Sequence, residues 1–310
     1  MSVPSVLVVI PVKNEEAFIE QCLRALLDQK YEGEISIVVV DNGSTDKTLD
    51  IVNLFGDSVT LLKKEMGTIG SLRNFGARYS TSDMVAFIDG DSVAPIDWIR
   101  VGCDILLDNK KNSCVGFAAA PPRADSCWIE KVWYGIGNSS RYKGTIQVDW
   151  LCSFNLIVRR SFFDRVSGFD EQLETGEDFD LGMRLNKYSK IIFSDTICVT
   201  HLDNPSGLVE FFKKEFWRGK SALRNFLLSK DKSREVISVF VPIAYVFTFI
   251  GCVFSIFLKS SFLFWICFSP VMLLPVYVLY KKSMLGQHKL LSGWFFVFTY
   301  LLARGLGAFF

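Results

Sequence analysis

Two carboxylates separated by one glycine, Asp89-Gly90-Asp91, follow directly on the apolar run Met84-Val85-Ala86-Phe87-Ile88. Carboxylates this close repel each other unless something positive lies between them. A hard divalent cation fits, because Mg²⁺ takes one or two carboxylates and fills the rest of its shell with phosphate oxygens and water. The chemistry this spacing suits is the holding of a diphosphate through a metal ion. Gly90 adds no bulk, so a ligand can approach the backbone there. Asp-Gly-Asp is equally a common turn, so the reading depends on the elements that position the pair.

The run before Asp89 has the length and apolarity of a buried strand in a parallel sheet. Its carboxyl end is where open α/β sheets bind ligands. Upstream, Ser5 to Ile10 reads as a strand and Phe18, Ile19, Cys22, Leu23, Leu26 and Leu27 as the apolar stripe of a helix. Ile35 to Val40 is a second buried strand, followed by a helix from near Asp46 that Ser44 or Thr45 can cap. Val59 to Leu62 reads as a strand, Thr68 to Tyr79 as a helix, Ile96 to Leu107 as a helix and Cys114 to Ala119 as strand-like. This alternation predicts a mostly parallel sheet wound with helices. Pro121 to Tyr142 mixes small, aromatic and charged residues, which suits a mobile segment over a site. Leu156 to Val158 reads as a short strand and Asp178 to Tyr188 as a helix.

The chain has 310 residues, a net charge of +1 and a composition that is 50% hydrophobic. That charge gives no bulk attraction for nucleic acid. The eight cysteines are scattered without a Cys-x-x-Cys pair, which argues against zinc and against a disulfide framework. The apolar excess lies late in the chain. Val236 to Leu258 is uncharged and reaches the roughly 20 residues that cross a bilayer. Phe262 to Tyr280 is similar, and Leu290 to Phe310 is a third apolar stretch interrupted by Arg304. Ahead of these, Leu208, Phe212, Phe216, Leu223, Phe226 and Leu227 share one face of a helix expected over Ser206 to Leu228, flanked by Lys213, Lys214, Lys220 and Arg224. Such a helix lies in a membrane interface or packs on the domain. Lys230, Lys232 and Arg234 precede the first span, Lys281, Lys282 and Lys289 follow the second, and the link between them carries only Lys259. The positive-inside rule then makes this a multi-pass membrane protein with its N-terminal domain in the cytosol.

Five features fall in order at strand ends or helix starts: Ile10-Pro11-Val12-Lys13-Asn14-Glu15; Val40-Asp41-Asn42-Gly43-Ser44-Thr45-Asp46; Gly70-Ser71-Leu72-Arg73-Asn74-Phe75-Gly76-Ala77; Asp89-Gly90-Asp91; and Gly168-Phe169-Asp170-Glu171 followed by Gly176-Glu177-Asp178-Phe179-Asp180-Leu181-Gly182. Each alone is weak, but the ordered set resembles the inverting glycosyltransferases of family 2, with the GT-A fold, over about the first two-thirds of the chain. The resemblance implies an α/β GT-A fold, Rossmann-like with helices on both faces of a mostly parallel sheet, over residues 1–204. An amphipathic interfacial helix over 205–230 and a membrane domain over 231–310 with two or three transmembrane helices would follow.

It also implies roles. Asp41 would accept a hydrogen bond from a uracil N3–H, or else serve as a turn or cap. Pro11, Asn14 and Glu16 would line the nucleotide, and Arg73 would offer its planar fork to phosphate oxygens. Asp91 would bind Mg²⁺ or Mn²⁺, and Asp89 would reach the ribose or the metal. His201, a structural histidine on the plainest reading, would contact the diphosphate or metal by resemblance. Asp178 would be the general base that takes the proton of an acceptor hydroxyl, with Glu177 steering the pair electrostatically. Alternatively, Glu177, Asp178 and Asp180 supply negative charge to the first turn of a helix. Trp217-Arg218 stands where processive synthases of the family carry Gln-x-x-Arg-Trp, and that motif is missing, so processive synthesis is not implied.

The expected partners are a nucleotide-sugar donor, a UDP-sugar foremost, a lipid or lipid-linked acceptor and the membrane, without nucleic acid. A phosphate acceptor is already anionic and needs no base, whereas a hydroxyl does; a base at Asp178 therefore favours a hydroxyl. The competing expectations are a polyprenyl-phosphate glycosyltransferase and an inactive membrane-bound partner of a glycan assembly complex.

Overall fold

A computed structural model describes residues 3–116, 120–122, 126–138, 143–229, 232–281 and 290–310. It divides into two compact units, Met1–Pro121 with Tyr142–Asp203, and Pro122–Arg141 with Asn204–Phe310. In chain order the elements are β1 (Val6–Val12), α1 (Ile19–Leu27), β2 (Ile35–Asp41), α2 (Thr48–Asn53), β3 (Thr60–Lys63), α3 (Ile69–Ala77), β4 (Met84–Ile88), β5 (Ser92–Val93), α4 (Trp98–Asp108), β6 (Asn112–Gly116), α5 (Trp128–Asn138), β7 (Thr145–Val148), β8 (Asn155–Arg159), α6 (Arg160–Arg165), α7 (Glu177–Leu185), β9 (Lys190–Ser194), β10 (Thr200–His201), α8 (Leu208–Gly219), α9 (Ala222–Leu228), α10 (Lys232–Phe257), α11 (Ser261–Lys281) and α12 (Leu290–Gly307).

The first unit is built on an eight-stranded sheet in the order β3-β2-β1-β4-β8-β6-β9-β7. The pairs β1–β2, β1–β4, β2–β3 and β6–β9 are parallel. Strand β8 runs antiparallel to both β4 and β6, and β7 antiparallel to β9. The sheet is thus mostly parallel but mixed, and both faces are covered. Successive side chains of a strand point to opposite faces, so β1 feeds two cores. Val6, Val8 and Ile10 pack with Ile19 and Leu23 of α1 and with Trp98 and Ile99 of α4. Leu7 and Val9 pack with Leu72 of α3, Phe163 of α6 and Leu181 of α7. Pairing of β1 with β4 ends at Val9, which accommodates Pro11, the residue with no N–H to give.

Helix α3 lies flat on the sheet because Gly76 has no side chain. A Cβ there would sit 2.5 Å from Val9 Cγ1 and 2.8 Å from Val40 Cγ2. Gly76→Val is therefore expected to cost about 3 kcal/mol by overpacking, read as a lowered unfolding midpoint. An unchanged midpoint would contradict this close packing.

The segment over 121–142 proves to contain a helix, α5, grouped with the second unit. Phe117 to Ala119, the end of the strand-like stretch expected over Cys114 to Ala119, lie outside the described residues. Lys230, Lys282 and Lys289, which carry part of the orientation argument, lie outside them too.

In the second unit, the single helix expected over Ser206 to Leu228 is two helices, α8 and α9, separated at Lys220-Ser221. Gly219, the poorest helix former of the stretch, closes the first. The fully buried stripe of α8 is Phe211, Glu215 and Gly219, a step around from the expected Leu208-Phe212-Phe216 face. Its partner is α12, and the two backbones nearly touch. A Cβ on Gly307 would lie 2.1 Å from the Phe216 carbonyl oxygen, and one on Gly219 2.9 Å from Gly307 Cα. Arg304 also finds its explanation here. Its Nε lies 3.4 Å from Oε2 of the fully buried Glu215, whose Oε1 accepts from Arg218 Nη1 at 2.5 Å. A charge inside an apolar helix needs such a partner.

Among the described residues, two helices are long and apolar enough to cross a membrane, over Val236–Phe257 and Ser261–Lys281. Each contains proline, Pro242 in the first and Pro270 and Pro275 in the second, which spanning helices tolerate.

Candidate active site

Strands β1, β2 and β4 are parallel, so they end at one edge and deliver Asp41 and Asp89 there. Strand β8 starts at that same edge, with Asn155 beside Ile88. A two-stranded ribbon adds the last piece. Strand β10 pairs antiparallel with β5, which puts His201 opposite Ser92, and Leu202 N donates to Asp91 O at 2.7 Å. As a result His201 Nε2 stands 3.4 Å from Asp91 Oδ2. One ligand atom from each of Asp89, Asp91 and His201 lies within 4.8 Å of the others. Two carboxylate oxygens and one imidazole nitrogen form a donor set that suits Mn²⁺ or Mg²⁺, with positions left for phosphate oxygens. The geometry thus brings Asp91, expected at a cation, together with Asp89, expected at the ribose or the metal, and His201, expected at the diphosphate or the metal.

The structure gives Arg73 a different place from the one expected. It is 3% exposed. Its Nη1 donates to Glu177 Oε1 and its Nη2 to Asp89 Oδ1, each at 2.8 Å. The fork that was expected on phosphate is committed to two carboxylates. One guanidinium therefore ties the end of β4 to the first turn of α7, with Phe169 beneath it at 5.6 Å. Gly70 lets α3 and α7 approach, since a Cβ there would already meet Phe169 Cβ at 3.2 Å and Glu177 Cβ at 3.6 Å.

Asp178 follows Glu177 in that first turn. Its Oδ1 accepts from Phe179 N at 2.7 Å. Burial, and then the neighbouring Glu177 charge, push its carboxyl up to about 7, against the pull of the Phe179 N–H and Arg73. A carboxylate poised near neutrality is what a general base needs. Cys22, packed beneath the aspartates with its Sγ 3.6 Å from Asp89 O, is pushed up by burial and by the Asp91 and Asp89 charges. It stays a thiol there and is not a nucleophile.

The loops after β1 and β2 are stitched to each other. Asn14, at φ +59°, accepts from Thr45 N through its Oδ1 at 2.8 Å, and its own N–H donates to Ser44 Oγ at 2.9 Å. Glu16 Oε2 accepts from Lys47 N at 2.9 Å, and Asp46 Oδ2 accepts from Glu16 N at 3.1 Å. Buried Asp41 accepts from Gly43 N at 3.0 Å and from Ser44 N at 3.2 Å. Asn14, Glu16 and Asp41 therefore shape the edge of the sheet through the backbone of this loop pair, and a carboxylate with about four lone-pair sites retains capacity for a further donor. Pro11 lies inside β1, opposite Val40.

Sequence reasoning missed Phe154, whose ring meets His201 edge-on at 5.6 Å, and Thr48, whose Oγ1 accepts from Glu15 N at 2.7 Å. Neither carries a local signal. Phe154 precedes a strand whose antiparallel direction no run of residues announces.

A mostly parallel mixed sheet with an acidic pair at a strand end, an imidazole beside it and a half-buried carboxylate in the first turn of α7 is the arrangement of a GT-A-type fold. The family model "Glycosyl transferase family 2" matches residues 7–166, and the chain belongs to that family. It is 28% identical over 253 residues to the glycosyltransferase AglE of Haloferax volcanii, covering 77% of this chain and 79% of that protein. Among solved structures it is similar to the mannosyltransferase PcManGT from Pyrobaculum calidifontis in complex with GDP-Man and Mn²⁺, with a TM-score of 0.64 and 16% identity over 100% of this chain and 88% of that one. S. aureus TarS in complex with UDP-GlcNAc aligns with a TM-score of 0.53 and 19% identity over 76% and 73% of the two chains. These two structural likenesses concern the fold.

Proposed function

We propose that this enzyme moves one sugar from a nucleotide-sugar donor, a UDP-sugar foremost, to a hydroxyl of a lipid or lipid-linked acceptor, with inversion at the anomeric carbon. The observation that supports it most is the Arg73 bridge, which sets the cation cluster and the helix carrying Asp178 on one edge of the sheet. In this reading Asp91, His201 and Asp89 hold Mg²⁺ or Mn²⁺. When bound, that cation neutralises the diphosphate and makes it a better leaving group. Asp89 has one oxygen held by Arg73, so its position is fixed before a donor arrives. Asp41 accepts from the N–H of the base, on a loop kept in shape by Asn14 and Glu16. Asp178 accepts the proton of the incoming hydroxyl as that oxygen attacks from the face opposite the leaving group. The apolar helices and the basic residues that flank them support a membrane-anchored enzyme working at the cytosolic face.

The test is a screen of UDP-, GDP- and dTDP-sugars for hydrolysis by the purified full chain, with Mn²⁺, with Mg²⁺ and with chelator. Cation-dependent release of one nucleoside diphosphate is expected, and hydrolysis indifferent to the chelator would contradict the reading. The pH dependence follows from the base. Asp178 works only when ionised, so kcat is expected to rise with pH through about 7 and to level off above. A kcat already flat between pH 5 and pH 9, about two units on either side of that value, would exclude Asp178 as the base.

A further inference from the structure

The loop that enters β8 runs from the end of β7, beside the C-terminal end of α7, to the edge where β8 starts, and it carries an indole that the cation cluster and the base do not use. Trp150 is 37% exposed, yet its position is built. A Cβ on Gly182 of α7 would lie 2.4 Å from Trp150 Cβ and 2.8 Å from its Cα, so the loop rests directly on the helix backbone. The preceding Asp149 is held by Asn186 Nδ2 at 2.8 Å. The indole meets the buried Phe179 ring edge-on at 5.7 Å, and Phe179 is the residue immediately after Asp178. At its other end the same loop places Phe154 against His201. The loop thus spans from the helix of the base to the cation cluster, with its indole braced along one edge and partly open to solvent.

A rigid, half-exposed indole resting one helical turn along α7 from Asp178 suits one kind of occupant. The face of an indole is electron-rich and attracts the partly positive C–H groups that line one side of a pyranose ring. An isoprenoid phosphate offers no such ring. Resting on the transferase reading above, we propose that Trp150 is the surface on which the acceptor lies, and that the acceptor hydroxyl therefore belongs to a sugar ring. The substrate class is a glycolipid or lipid-linked saccharide.

The experiment uses the full chain in nanodiscs, the nucleotide-sugar it hydrolyses, a set of octyl glycosides as sugar-bearing acceptors and a polyprenyl phosphate as an acceptor without a sugar. Trp150→Leu keeps apolar bulk and removes the aromatic face, whereas Trp150→Phe keeps a face. The Leu variant is expected to raise KM for the octyl glycosides about tenfold and the Phe variant less than about threefold, with the donor KM of both unmoved. Gly182→Ala, which lifts the loop from α7, is expected to show the same split between acceptor and donor. Equal acceptor KM values for the Leu and Phe variants would overturn the proposal. So would a wild type that glycosylates the polyprenyl phosphate, or hydrolyses donor, while using none of the octyl glycosides. Complete absence of donor hydrolysis is a different result and would sink the transferase reading itself.

Discussion

Asp178→Asn is expected to lower kcat by about three orders of magnitude while changing donor affinity by no more than about twofold. The substitution is nearly isosteric, and an amide oxygen can still accept from Phe179 N, as Asp178 Oδ1 does at 2.7 Å. What the amide cannot do is take a proton. Loss of kcat without loss of donor binding therefore isolates proton transfer from folding. Steady-state kinetics, with donor affinity measured separately by calorimetry, checks both halves. Retention of most of kcat would remove Asp178 from the chemistry.

Arg73→Met is expected to be nearly as damaging for a different reason. The guanidinium is almost fully buried and pairs with both Glu177 and Asp89, which are 8% and 32% exposed at the side chain. Removing it leaves these charges uncompensated, at a cost of about 3–5 kcal/mol of stability. Arg73 also draws the Asp178 carboxyl down, so its loss lets that group rise further. The rising limb of kcat against pH is then expected to move to higher pH, with partial recovery of rate in alkaline buffer. Arg73→Lys keeps a point charge but loses the fork, and should fall between. A phosphate-binding arginine would behave otherwise: donor KM would rise while stability and the pH limb stayed put. Those outcomes together separate the bridge from a donor contact.

The contrast at Arg73 also marks where sequence stops being legible. Strands β1, β2 and β4 are unbroken apolar runs ending in acids or polar loops, and such runs identify themselves. The residues at their ends, Asp41, Asp89 and Asp91, were legible for that reason. His201 could be named, but its place beside Asp91 comes from the β5–β10 pairing, two residues on each side. No periodicity announces so short a ribbon. Arg73 sits in a helix where an arginine reads as solvated, and its carboxylate partners lie 16 and 104 residues away. Only the fold brings them together. The antiparallel direction of β8 and the helix over Trp128–Asn138 were invisible for a related reason, because direction and partner are tertiary facts. The break after Gly219 and the buried Glu215 show the same limit in the second unit, where a charged residue occupies the inward stripe because Arg218 and Arg304 wait for it.

The most direct test of the whole account is the anomer released first. With an α-linked UDP-sugar or GDP-sugar that the enzyme hydrolyses, proton NMR recorded in the opening minutes, before mutarotation, should show the β-anomer of the free sugar. That is the outcome the proposed mechanism requires, in which a donor held by the Asp89, Asp91 and His201 cluster would undergo one in-line displacement by an oxygen that Asp178 deprotonates. The α-anomer appearing first would mean retention and would contradict the account at its core.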